Sequence, residues 1–402
     1  MIFKLEYVWL DGYTPEPNLR SKVKVVNVGE GENFNFPQWG FDGSSTNQAE
    51  GFSSDCYLRP VRFYQHSIIK ETIPTIYVFC DVLDKDGNPH PSNDRVKLEK
   101  AGTDLWVGFE QEYFIRSKHK GSILGMEKGE IESQGRYYCG VGGQIHGRDI
   151  SEKHLEYCLS LGINVEGTNA EVAIGQWEYQ IFAKDTLQAS DDLWISRYIL
   201  HKIAEKEGMS IELHPKPLIF GEWNGSGLHT NFSNKRMREI GGEQYFNCIF
   251  NSFESSTAKH IDSYGSDNHL RLTGKYETQS IDKFSWGVSD RGASIRVPKS
   301  TAEEWKGYLE DRRPSSNANP YKVLQVIMES LKAAETIDEI KTKMSINVDV
   351  YATAEKFKML TPDELLNEYK SEEEEGVDKI KWTEGDGSNI ETEEIKFDIN
   401  SK

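Results

Sequence analysis

The chain has 402 residues and a mass of 45.9 kDa, which suits two domains, or one large α/β domain with a small partner. Its net charge of −18 argues against general nucleic-acid binding, because neutralising phosphates needs an excess of Lys and Arg. No stretch approaches the roughly 20 apolar residues of a membrane span, and Lys4, Glu6 and Asp11 interrupt the start where a signal peptide needs an apolar run.

In chain order, three zones separate. The first, residues 1–89, is rich in strand signals, among them 5–10 and 76–80, divided by Gly, Pro, Asn and Ser clusters. It reads as a small β-rich domain. The second, 90–343, mixes strands with helices. Segments 105–115 and 295–297 read as extended. Ser151 is placed to cap a helix ending at Gly162, and Ser190 to open one ending before Gly208. Segments 245–253 and 323–334 read as helical. Such interleaving implies α+β or α/β layering. The third zone, 344–402, is an acidic extension carrying Glu372 to Glu375. Between Thr361 and Lys402 fourteen acids face five bases, so half of the net charge sits there, and partial disorder is expected. Five cysteines, odd in number and never in Cys-x-x-Cys spacing, fit a reduced cytoplasmic protein.

There is no G-x-x-x-x-G-K-[ST] loop and no G-x-G-x-x-G, so any nucleotide is bound by another architecture. The informative feature is acidic residues inside strand-like segments. Glu110 and Glu112 stand at i and i+2 in Phe109-Glu110-Gln111-Glu112-Tyr113-Phe114, hence on one face. Glu171 and Glu178 lie among Val, Ala, Ile and Trp, and Glu310 stands beside Arg312 and Arg313. Singly, such a glutamate more commonly faces solvent. Two carboxylates about 5 Å apart repel by roughly 3 kcal/mol at an effective dielectric near 20, so a converging set needs cations. Hard divalent ions with oxygen ligands, Mg²⁺ or Mn²⁺, meet that need and tolerate one imidazole, which His229 offers. Arg271, Arg291, Arg296 and Arg312 read either as ion-pair partners of nearby acids or as forks for carboxylate and phosphoryl oxygens. Metals, glutamates and arginines without a P-loop point to phosphoryl transfer.

Six co-linear motifs carry a family resemblance: Phe41-Asp42-Gly43-Ser44-Ser45-Thr46; Phe109 to Tyr113; Asn169-Ala170-Glu171-Val172 with Gln176-Trp177-Glu178; Asn224 through His229 to Ser233; Arg271-Leu272-Thr273-Gly274; and Glu310 to Ser315. Their order and spacing resemble glutamine synthetase, type II branch, from about Leu5 to about Ala334. The resemblance implies an α+β chain, with a β-grasp-like N-terminal domain before a larger catalytic α/β domain. It implies an enzyme that uses ATP and two or three Mg²⁺ or Mn²⁺ ions to join ammonium to L-glutamate through a γ-glutamyl phosphate. Glu112, Glu171 and Glu178 would hold one metal, and Glu110, His229 and Glu310 the second. Arg271 would take the glutamate carboxylate, and Arg291, Arg296 and Arg312 would face phosphates. Trp106, Asn231 and Ser233 match positions near ATP. Asp42 matches the residue that binds and deprotonates ammonium, and Glu277 the acid of a shielding flap. Two stacked pentameric rings are implied, with Asp42 supplied to each site by the adjacent subunit. The chain departs from the family pattern at Tyr276, where histidine is usual, and at Leu270, Arg136 and the loop 117–133. Two rival readings are a γ-glutamyl amine ligase for a larger amine and an inactive homologue. Retention of Asp42, Glu277 and all six metal ligands opposes them.

Overall fold

A computed structural model describes residues 1–29, 35–67, 72–126, 136–219 and 221–357, with side chains described as far as 342. Contacts divide the chain into Met1–Asp338, which carries both sheets, and a unit from Glu339 of which only the end of one helix is described.

The first sheet comprises β1 (Ile2–Leu10), β2 (Leu19–Asn27), β3 (Trp39–Asp42), β4 (Asp55–Gln65) and β5 (Thr75–Leu83), in the order β2-β1-β5-β4-β3. Only the β1–β5 pair is parallel. Every residue of β5 is buried, which is why Thr75–Leu83 is an almost unbroken apolar run. Its alternation serves two cores. Ile76, Val78, Cys80 and Val82 join Leu5, Tyr7 and Trp9 on one face, while Tyr77 and Phe79 join the main core on the other.

After α1 (Asp94–Ala101) the chain enters a second sheet through β6 (Trp106–Ser117). Then follow α2 (Arg148–Ser160), β7 (Val165–Ala170), β8 (Gln176–Ala183), α3 (Thr186–Lys206), β9 (Met209–Glu212), β10 (Leu228–Ser233), α4 (Lys235–Glu239), α5 (Glu243–Ser255), α6 (Thr257–Ser263), β11 (Trp286–Val288), β12 (Ile295–Val297), α7 (Lys299–Glu304), β13 (Leu309–Asp311) and α8 (Pro320–Phe357). The strand order is β11-β12-β13-β10-β6-β8-β7, with β9 also on β6. One face of this sheet is apolar: Val107, Phe109, Tyr113 and Ile115 of β6, Trp177, Tyr179 and Ile181 of β8, and Phe232 of β10 share a core with Leu193, Ile199 and Leu200 of α3.

The α+β class expected from the sequence is observed, with two helix starts corrected. The helix assigned a Ser151 cap begins at Arg148 after Gly147, and Ser151 is buried inside it, bonded to Thr168. The helix assigned to start at Ser190 begins at Thr186, capped by Asp185, whose carboxylate accepts from the Gln188 amide at 2.8 Å. The last helix continues past 334 to Phe357; residues 358–402, with the Glu372–Glu375 run, lie outside the described residues.

Asp191 of α3 ties the layers together. It is fully buried and accepts from Arg62 of β4 at 2.9 Å, Arg95 of α1 at 3.0 and 3.1 Å, and Tyr321 of α8 at 2.6 Å. Asp191→Ala strands two guanidinium groups at this junction and is expected to cost about 3 kcal/mol of stability, measured as a fall in denaturation midpoint. A change below about 0.5 kcal/mol would show that the junction is held by packing alone.

Candidate metal and substrate site

The apolar side of the second sheet fixes what its opposite side must carry, since side chains alternate along a strand. With Val107, Phe109, Gln111 and Tyr113 turned to the core, Trp106, Glu110 and Glu112 share the other face. On β8 the same alternation presents Gln176, Glu178 and Gln180; on β10, His229, Asn231 and Ser233; on β12 and β13, Arg296 and Glu310. Register then juxtaposes them. His229 pairs with Glu110, Glu178 with Glu112, Asn231 with Glu310, and Arg296 with Glu310.

Two triads result. Ligand atoms of Glu110, His229 and Glu310 lie within 4.8 Å of one another, and so do those of Glu112, Glu171 and Glu178. These are the two sets expected from the resemblance, and five of the six residues line one cavity of about 460 Å³. Glu112, Glu171 and Glu178 receive amide donors: Gly227 N to Glu112 at 2.6 Å, Asn169 Nδ2 and Val172 N to Glu171 at 3.1 and 3.0 Å, and Gln180 to Glu178. No lysine or arginine among the described residues makes an ion pair with this triad. Burial, reinforced by Glu171, pushes the Glu112 carboxyl up to about 8. Burial, with Glu277 and Glu110 adding to it, pushes Glu171 up to about 7, and Glu178 is raised well above its usual range for the same reason. Three carboxyls raised by burial and by one another fit a hard divalent cation through their all-oxygen donor set.

The second triad is built differently. Burial, then Arg312 and Arg271, push His229 well below the usual imidazole range, so the ring is neutral and keeps a lone pair. Its Nδ1 lies 3.5 Å from Glu110 and 3.7 Å from Glu310, and its Nε2 is 2.9 Å from Arg271 Nη2. Gly227 makes that approach possible: a Cβ there would meet Arg271 Nη2 at 2.6 Å and the His229 ring at 2.8 Å. Arg296 and Arg312 are paired with Glu310, at 2.7 and 2.6 Å. The ion-pair reading of these arginines therefore holds, and it places both guanidinium groups beside the second triad.

The other expected site residues divide. Arg271, Glu277, Arg291 and Arg312 line the cavity, whereas Arg296, Trp106, Asn231 and Ser233 share the sheet face without lining it. Asn231 donates to Glu110 at 2.8 Å, and the cations of Lys184 and Arg238 lie 4.5 and 4.3 Å from the centroid of the Trp106 ring. Asp42 ends β3 in the first sheet and does not line the cavity. Hydrogen bonds from Ser44 and then Ser45 hold its carboxyl below the usual range, so it stays ionised. Asn169, Gln176, Gln180, Tyr138 and Thr278 also line the cavity without having been assigned roles. For Gln176 and Gln180 the signal was present, two residues either side of Glu178. Tyr276 and Glu277 are consecutive non-glycine residues with φ of 56° and 61°, a backbone state that costs about 1–3 kcal/mol per residue.

Residues 1–85 match the glutamine synthetase β-Grasp domain, and residues 94–246 match the glutamine synthetase catalytic domain. A glutamine synthetase of Bradyrhizobium diazoefficiens is 48% identical over 342 residues, covering 83% of this chain and 97% of that one. The chain belongs to the glutamine synthetase family. A relative of that name from the fungus Tuber borchii is 46% identical over 333 residues, 81% of this chain and 91% of that one. The Plasmodium falciparum glutamine synthetase structure, at 17% identity, shares the fold with a TM-score of 0.67 over 83% of this chain and 72% of its own. Divalent metal and ATP use are general to the family, and the two triads are suited to such ions.

The raised carboxyls of the first triad set a pH signature. A carboxyl raised in the folded state favours folding below its unfolded value and loses that contribution as pH rises through the folded value, here about 7 to 8 for Glu171 and Glu112. A divalent ion displaces those protons and reverses the loss. The rise in Tm that Mg²⁺ gives over EDTA-treated protein is therefore expected to grow between about pH 6 and pH 8.5. A pH-independent rise would contradict the triad assignment.

Proposed function

We propose that the chain joins ammonia to the γ-carboxylate of L-glutamate at the expense of ATP, giving L-glutamine, ADP and phosphate. The observation that carries this reading is the pair of ligand triads on one sheet face, opening into a cavity shared with Arg271, Arg291, Arg312 and Glu277. Glu112, Glu171 and Glu178 would hold one divalent ion, and Glu110, His229 and Glu310 another, Mg²⁺ or Mn²⁺. Such ions neutralise the oxygens of a phosphoryl group in transfer.

The chain's own residues account for the remaining steps. Arg271 binds the substrate α-carboxylate, its guanidinium fixed by the backbone oxygens of Arg312 and Arg313 at 3.0 and 3.3 Å. A γ-carboxylate oxygen attacks the terminal phosphorus of ATP, the bond to the bridging oxygen breaks, and ADP leaves. Arg291 and Arg312 face the charge that builds on the phosphoryl oxygens. Trp106 and Ser233 hold the nucleotide, and Asn231 sets the orientation of Glu110. Ammonium gives one proton to an ionised acid, Asp42, before its nitrogen attacks the acyl carbon and phosphate departs. Glu277 shields the acyl phosphate from water and takes a second proton.

Asp42 lies off the cavity of its own chain, which fits a site completed by a neighbouring subunit, and the family resemblance supports a decamer of two five-membered rings. The division into 1–89, 90–343 and 344–402, with the β-grasp sheet in the first part, fits this arrangement. Five unpaired cysteines support a reducing, cytoplasmic setting. No described helix is long and apolar enough to cross a membrane.

Glutamine formation from ammonium, glutamate, ATP and Mg²⁺ is the expected activity, and Glu171→Ala is expected to lower it about a hundredfold or more. Product from larger amines but none from ammonium would overturn the assignment. Light scattering at the mass of a monomer would overturn the decamer.

A further inference from the structure

The turn that carries Glu277 is held by contacts its own backbone preference does not supply. Tyr276 and Glu277 both have positive φ, which side chains of this kind rarely adopt. On the far side the turn is pinned by buried Thr278, whose hydroxyl donates to the carbonyls of Lys275 at 2.8 Å and Arg271 at 3.1 Å. On the near side the Tyr276 hydroxyl donates to Glu222 at 2.7 Å, and its ring lies over the Lys216 ammonium, 4.6 Å from the centroid. Lys216 is itself buried and donates to the carbonyl of Trp223, the residue after Glu222. The two partners of the tyrosine are thus locked to each other's neighbourhood, and the clasp closes beside the cavity, which Tyr276 and Glu277 both line.

We infer that Tyr276 is a positioning residue, which through Glu222 and Lys216 keeps the Glu277 carboxylate over the cavity while the acyl phosphate exists. This rests on the function proposed above. The family resemblance puts histidine at this position; here the phenol hydroxyl meets Glu222 as its acceptor. With the clasp open, water attacks the acyl carbon, the carbon–oxygen bond to phosphorus breaks, and glutamate and phosphate leave without glutamine. The signature of the clasp is therefore coupling, the phosphate released per glutamine formed.

The test uses the full chain with Mg²⁺ and reads that ratio, KM for ammonium, KM for glutamate and Tm. Tyr276→Phe removes the hydroxyl but leaves the ring on Lys216; Glu222→Ala removes the acceptor; Glu222→Gln keeps one. The first two are expected to raise the ratio and the ammonium KM about three- to tenfold, the effect of one charge-assisted hydrogen bond. Glutamate KM and Tm stay unchanged, Glu222→Gln resembles the parent, and the double variant is no worse than either single one. A ratio that remains stoichiometric in Tyr276→Phe and Glu222→Ala would overturn the clasp. So would a fall in Tm with all kinetic constants changing together, which marks a merely structural tyrosine. If the parent chain itself forms no glutamine, the function of the site fails instead, a result that the parent assay separates from failure of the clasp.

Discussion

Carboxylates brought together out of water repel one another and lose their hydration, and both effects act on the face of β6, β8, β10 and β13. Glu112, Glu178 and Glu310 are buried there, beside Glu110 and Glu171. Two different remedies are built into the sheet. Glu310 is met by the guanidinium groups of Arg296 and Arg312, which neutralise it within the chain. Glu112, Glu171 and Glu178 receive amide donors and form no ion pair with a lysine or arginine among the described residues, Arg271 and Arg312 acting on Glu112 only at longer range. Three acids so oriented fit a divalent cation, whose use is general to the family.

The rest of the structure maintains this arrangement. Buried Arg197 reaches Gln111, between Glu110 and Glu112 on the opposite face, at 2.7 Å, and also donates to the carbonyls of Ser316 and Ala318 at 2.9 and 3.0 Å. Behind Glu310, Asp311 accepts from Tyr264 at 2.6 Å and from Arg313 at 2.9 and 2.7 Å, and His260 joins Arg313 to Ser330. Burial alone would raise Asp311, yet Arg313 and His260 hold its carboxyl well below the usual range. Glu110, Glu112 and Glu310 thus each have a hydrogen-bonded polar neighbour on the core side. The register that presents the ligands is set by the apolar alternation on that same side.

Much of this was legible in the chain. Period-two alternation placed Glu110 and Glu112 on one face, and short apolar segments announced β1, β5 and β12. What joins distant segments was not legible from spacing. The convergence of Glu171, just past the end of β7, with Glu310 of β13 came through the family motifs, and Arg197 gave no local signal because its partners lie on β6 and before α8. Helix starts failed for a local reason. Ser151 and Ser190 look like caps, but Gly147 and Asp185 act earlier, and each serine spends its hydroxyl inside its helix or on a neighbouring strand. Asp42 marks another limit, since it ends β3 in the first sheet and does not line the cavity.

The most direct measurement is the anomalous-difference map of crystals grown with Mn²⁺ and ADP. Two peaks per chain are expected, one bounded by Glu110, His229 and Glu310 and the other by Glu112, Glu171 and Glu178. A site that binds no manganese, or manganese held away from both triads, would contradict the view that the buried carboxylates are reserved for divalent cations.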